Sequence, residues 1–195
     1  MSHPYLDYFD RTYPQYLKGK FADYRRIFEG ILAKRKNNFV FVVIGTCSED
    51  QEGNPIHSIV KILDQFLNLK GVDGQLIVAD IHQHNFDDLA SKTSNKTTLV
   101  QDDITSVLQS LASNVDKEID LLFIGDEEEE IESKGTIAKK TMKLLPILDE
   151  TLSENSLLVL DCNQKNSNMG REIMGFAIDE EKKPFVNGAI VGWVW

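Results

Sequence analysis

Six consecutive apolar residues, Phe39 to Ile44 (FVFVVI), interrupt a mixed polar sequence and stop at Gly45. A run that is β-branched or aromatic at every position suits a strand buried on both faces, as in a parallel sheet covered by helices. The signature recurs at Gln75 to Ala79 before Asp80, and at Thr97 to Val100 before Gln101, Asp102 and Asp103. It appears again at Leu121 to Ile124 before Gly125 and Asp126, and at Leu157 to Leu160 before Asp161. Helical spacing lies between the runs: Ile56 to Leu69 behind Pro55, a weaker stretch at Phe86 to Lys92, Ser106 to Ala112, and Thr136 to Leu152 with Pro146 inside it. Pro55 fits a first helical turn, Gly71 a C-terminal cap, and Pro146 a kink. Upstream, Leu17, Phe21, Tyr24, Phe28, Ile31 and Leu32 form one apolar face and predict a helix within residues 14 to 36 that packs on something else. At the other end, Phe185 to Trp195 (FVNGAIVGWVW) reads as a strand or hairpin that pairs antiparallel, with its tryptophans in the core. Strands alternating with helices predict a doubly wound, mostly parallel α/β sheet with helices on both faces. The division expected is an N-terminal helical segment, 1–37, packed on an α/β domain, 38–195.

Composition narrows the partners. The 195 residues are 42% hydrophobic, enough for a core without metal or disulfide staples, and carry a net charge of −10. That sign opposes nucleic acid and anionic membranes as main partners. Residues 1–38 are the exception, with eight basic side chains against four acidic ones. A basic helix docked on an acidic body accounts for this more simply than an anion-binding role does. The polar, aromatic start MSHPYLDYFD lacks the layout of a signal peptide, and no 18-residue apolar run occurs. Cys47 and Cys162 are too few for a disulfide framework and suit a reducing compartment, so a cytoplasmic protein is expected.

Open α/β sheets bind ligands beyond the carboxyl ends of their strands, which gives weight to Gly45, Asp80, Asp103, Asp126 and Asp161. Aspartates there also cap helices, and that reading stands beside the functional one. The first turn, GTCSEDQEGNP, separates Gly45 from Gly53 and places Glu49, Asp50 and Glu52 between them. Three carboxylates repel a pyrophosphate, and neither the close glycines of a dinucleotide site nor a P-loop lysine is present. A cationic ligand without phosphates fits better, and S-adenosylmethionine is one.

In this order of strands, Ile44-Gly45-Thr46, Asp80, Asp103-Ile104, Asp126 and Asp161, residues 38 to 163 resemble the class I S-adenosylmethionine-dependent methyltransferases. Within them the chain is most similar to the small O-methyltransferase group, of catechol O-methyltransferase type and cephalosporin-hydroxylase-like. The resemblance implies a Rossmann-like sheet of about seven strands with the last antiparallel. It implies a cofactor set of Gly45, Thr46, Cys47, Asp80, Ile81, Asp103, Ile104 and Gly125. Gly45 and Thr46 would meet the methionine part, Asp80 the ribose hydroxyls, and Asp103 the adenine amino group with Ile104 beside the ring. Metal-dependent members hold a divalent cation after the fourth and fifth strands, which here points to Asp126, Asp161 and Asn163 for Mg2+. Three departures stand out: Gly125 precedes Asp126, Cys162 separates Asp161 from Asn163, and Val43 occupies the place of a cofactor-facing acid two residues before the glycine.

The acidic run Asp126 to Glu132 lacks the ligand pattern of an EF-hand and reads as solvated. His82 and His84 follow the second strand, beside the expected ribose site, and His57 reads as structural; no catalytic base is assigned. The function implied is methyl transfer to an oxygen of a small molecule, with a homodimer left open. The alternative, favoured by Val43, Gly125 and the acidic turn, is a catalytically inactive binding or regulatory protein of the same fold.

Overall fold

A computed structural model describes residues 4–12, 22–34, 36–45, 58–80, 83–113, 118–125, 152–161, 174–175, 177–179, 181–187 and 190–194. In chain order these form α1 (Pro4–Thr12), α2 (Ala22–Ala33), β1 (Asn38–Ile44), α3 (Ser58–Leu67), β2 (Asp73–Asp80), α4 (Gln83–Ala90) and β3 (Thr97–Gln101). They continue through α5 (Ile104–Ala112), β4 (Ile119–Ile124), β5 (Leu152–Asp161), β6 (Phe185–Asn187) and β7 (Ile190–Val194). The strands make one seven-stranded sheet in the order β3-β2-β1-β4-β5-β7-β6. Strands β1 to β5 pair in parallel, and β7 runs antiparallel to both β5 and β6. This is the doubly wound sheet with an antiparallel final strand that the sequence predicts.

Why the apolar runs become central strands is visible in how they alternate. Phe39, Phe41 and Val43 of β1 join Leu76, Val78, Leu121, Phe123, Leu157 and Val159 in one core, beneath residues of α1 to α4. Val42 and Ile44 join Ala79, Leu122, Ile124, Leu158 and Leu160 in a second core under Val107 and Leu108 of α5 and Trp193 of β7. From Phe39 to Ile44 each β1 side chain thus faces one of two packed layers, so none of these positions has to be polar. On the first face Tyr5, Phe28, Phe39 and Phe66 meet, with Tyr5 4.7 Å from Phe66 and Phe39 5.3 Å from it, centroid to centroid. Such tilted and edge-on aromatic contacts add about 0.5 to 1.5 kcal/mol each to the burial of area.

Two buried carboxylates tie the amino ends of the strands. Asp120 is 2% exposed. Its Oδ2 accepts the Val40 N–H at 2.9 Å, and its Oδ1 meets the ammonium of Lys34 at 3.3 Å and that of Lys36. Asp64, also buried, accepts the Ser94 N–H at 3.0 Å, the Ser94 hydroxyl at 2.7 Å and the Thr97 hydroxyl at 2.7 Å. A buried charge is tolerated only when paired or saturated with donors, and both meet that condition. The basic N-terminal region accordingly spends several of its charges inside the molecule: Lys34 and Lys36 on Asp120, and Arg25 on Asp10 at 2.8 Å and on Glu29.

Several expectations need adjusting. The first nine-residue helix, Pro4–Thr12, was not foreseen. The helix expected within 14 to 36 is described only as Ala22–Ala33; Lys36 lies outside it, and Leu17 and Phe21 lie outside the described residues. Leu152, expected at a helix end, starts β5 and pairs with Ile119. The rest of that helix, with Pro146, lies outside the described residues, as do Pro55 and Trp195.

Candidate functional site

The register of the sheet aligns the carboxyl ends of its strands. Ile44 stands level with Ala79 and with Ile124, Ile124 with Leu160, and Asp80 with Gln101. One residue further, Gln101, Asp80, Gly45, Gly125 and Asp161 therefore fall in a row across β3, β2, β1, β4 and β5. With neighbouring strands about 4.8 Å apart, Asp80 and Asp161 are separated by three strand spacings, roughly 14 Å. The row straddles the switch point, where β1 connects towards β2 and β3 on one side while β4 and β5 lie on the other. Sheets of this kind open a crevice there.

Two glycines shape the middle of the row. Gly45 leaves β1 with φ 74°, a left-handed conformation costly for any residue with a Cβ, and its N–H donates to the Ala79 carbonyl at 2.9 Å. Gly125 donates to the Ile44 carbonyl at 2.7 Å, and a Cβ built on it would lie 2.2 Å from the Gly45 carbonyl oxygen. The ends of β1 and β4 can approach this closely only because residue 125 has no side chain. That explains on steric grounds why glycine stands where a metal-binding aspartate would directly follow Phe123-Ile124.

The aspartates play unlike parts. Asp80 closes β2 at 2% exposure, and its carbonyl accepts the Asp102 N–H at 3.2 Å. Asp103 is exposed and caps α5. Its Oδ1 accepts the N–H groups of Thr105 at 2.8 Å and Ser106 at 3.1 Å, and its Oδ2 accepts the Ser106 hydroxyl at 2.7 Å. The Ser106 hydroxyl, then the backbone donors, hold the Asp103 carboxyl below its ordinary pKa. The capping role weighed for this residue is thus present, and an acceptor lone pair remains on Oδ2. Val43 is fully buried in the first core, so it brings no polar group to the row.

Ile104 starts α5 and Asp161 closes β5, opposite Ile190. Thr46, Cys47, Ile81, Asp126, Cys162 and Asn163 lie outside the described residues, as do Glu49, Asp50, Glu52, His57, His82 and the run 126 to 132. Among the described residues no three His, Cys, Asp or Glu side chains gather as a metal cluster. No helix among them is long and apolar enough to cross a membrane.

Sequence reading missed Gln101, which ends β3 at the level of Asp80. It also missed the buried Asp64 and Asp120. A charged residue inside an apolar run, as in Ile119-Asp120-Leu121 or Ile62-Leu63-Asp64, was the available signal for these two.

No known protein-family profile matches the sequence, and no curated protein matches it. Solved structures do match its fold. CalS11, a TDP-rhamnose 3'-O-methyltransferase of calicheamicin biosynthesis, superposes with a TM-score of 0.62 at 12% identity over 95% of this chain and 84% of that one. MycE, a methyltransferase of the mycinamycin pathway in complex with Mg and SAH, gives 0.63 at 14% identity. That match covers 98% of this chain and 55% of MycE. A Staphylococcus aureus protein provisionally assigned as a caffeoyl-CoA O-methyltransferase gives 0.54 at 11% identity, covering 99% of this chain and all of the other. The chain has the Rossmann-like fold of these methyltransferases.

Proposed function

We propose that the chain is an S-adenosylmethionine-dependent methyltransferase acting on an oxygen of a small molecule. The observation that carries this reading is the row at the switch point, where a left-handed glycine, an apposed second glycine and a buried strand-end aspartate stand side by side. The donor set fits such a cofactor at its nucleoside end. Asp80 supplies two oxygens for the paired ribose hydroxyls, and Asp103 keeps an acceptor for the adenine amino group while it fixes α5, with Ile104 beside the ring. Ile81 completes the nucleoside side, and Gly45, Thr46, Cys47 and Gly125 line the methionine side. With Val43 buried, the cofactor's amino group is left to Glu49, Asp50 or Glu52.

When bound, the cofactor supplies an electrophilic methyl on a sulfonium. The protein's share is to hold the acceptor oxygen in line with it, an effect of orientation and proximity. The absence of a phosphate-binding turn and the net charge of −10 favour this cationic ligand over NAD and over a nucleic-acid acceptor. We place the activity in the cytoplasm, as the sparse cysteines suggest.

The test is transfer of labelled methyl from S-adenosylmethionine to a panel of small hydroxyl compounds, run with EDTA and with added Mg2+. Turnover of at least one acceptor supports the reading. Loss of turnover in EDTA and its return with Mg2+ would assign a metal to Asp126, Asp161 and Asn163, whereas indifference to EDTA would remove the metal. Cofactor binding without turnover of any acceptor would favour the inactive binding protein.

A further inference from the structure

At the amino ends of β1 and β2, about 20 Å along the seven-residue strand β1 from the row just described, lies a cavity of about 600 Å3. It is walled by α1, the end of α2, the start of β1 and the turn between α3 and β2. Four aromatic rings, Tyr5, Tyr8, Phe39 and Phe66, contribute to it, with Leu32, Leu69 and Val72. Among the described residues no acidic side chain lines it, while Lys36 and Lys70 do. The Lys36 ammonium is held by Asp120 and sits 5.7 Å from the Phe39 ring centroid. Lys70 has no partner among the described residues. The same is true of the Tyr8 hydroxyl and the Asn37 side-chain amide, which share the lining.

We propose that this cavity binds a small aromatic carboxylate. The flat aromatic walls select a planar ring, and the volume lies in the range of sites for small molecules. One unpaired lysine, with a hydroxyl and an amide as further donors, selects a single anionic group. Among the described residues a polyphosphate would need several free cations and finds one, and a cationic ligand meets two lysine charges and no carboxylate in the lining. The mouth is also open, since a Cβ on Gly71 would meet nothing within 4 Å. The site is separate from the carboxyl edge and does not depend on the activity proposed there.

The experiment titrates the full chain with 2-naphthoate, and with its uncharged counterpart 2-naphthamide, by calorimetry and ligand-observed NMR. Naphthoate should bind one to one with a Kd on the order of 100 µM, as ligand efficiency for a compound of this size allows. Naphthamide should bind about fivefold more weakly, the size of one solvent-exposed ion pair. Lys70→Met, at an exposed position, should weaken naphthoate by the same factor and leave naphthamide unchanged. Tyr8→Ala should weaken both by about two- to tenfold, through loss of one stacking wall. Absence of saturable naphthoate binding up to millimolar concentration overturns the proposal. So does equal affinity for the two compounds, or binding indifferent to both substitutions.

Discussion

Two aspartates that end or follow neighbouring strands are held in different ways, and the difference decides what each substitution does. Asp80 is buried at the end of β2, in the row proposed to hold the cofactor. Asp80→Ala should weaken S-adenosylhomocysteine by about 1 to 3 kcal/mol, five- to 150-fold, measured by calorimetry; unchanged affinity would remove Asp80 from the site. Asp103 serves the fold first, through three donors on its carboxylate. Its folded pKa lies below the ordinary 3.8, so its contribution is complete above that value and fades as pH falls through the folded pKa. Asp103→Asn keeps an acceptor but loses the charge. The variant should therefore melt below the wild type at neutral pH, and the gap should close below pH 3.8 in scanning calorimetry. The assignment of Asp80 and Asp103 as cofactor residues came from their order along the chain. What the sequence could not convey is that Asp103 caps a helix through Oδ1 and takes the Ser106 hydroxyl on Oδ2, because that depends on where α5 begins relative to β3.

Among elements, the strands were the most legible, since each central run must be apolar on two faces and few other structures ask for that. Boundaries were less so. Leu152–Asp161 begins with the polar stretch Leu-Ser-Glu-Asn, which has no strand signature. It extends because Leu152 pairs with Ile119 across an irregularity and the buried Ser156 hydroxyl donates to the Ile119 carbonyl. That long-range pairing overrides local preference. Helix α1 escaped notice because only Tyr5, Leu6 and Phe9 of its nine residues are buried, too short a stripe to show a period. The contact between the ends of β1 and β4 makes a sharp prediction. Gly125→Ala drives a methyl into the Gly45 carbonyl, and should cost about 1 to 3 kcal/mol in urea unfolding while loosening S-adenosylhomocysteine. At the opposite edge, burial pushes the Lys34 ammonium below its ordinary pKa against the pull of Asp120. Asp120→Asn leaves that lysine uncompensated and should cost about 3 to 5 kcal/mol, with Lys34→Met in the same background recovering part of the loss.

For the whole molecule, the charge distribution and the topology tell a consistent story. The N-terminal lysines and arginine that offset the net acidity are partly consumed in ion pairs at the amino edge, while the strand-end aspartates gather at the carboxyl edge. Under the proposed function that edge receives the ligand, and the sign of its aspartates favours a cation. Architecture of this kind hosts many functions, so the decisive question is which ligand the row accepts. The most direct measurement is a calorimetric titration of the full chain with S-adenosylhomocysteine, with NAD titrated in parallel. Saturable one-to-one binding of S-adenosylhomocysteine, with no heat from NAD, is the predicted result. Absence of S-adenosylhomocysteine binding at millimolar concentration, or binding of NAD in its place, would contradict the account.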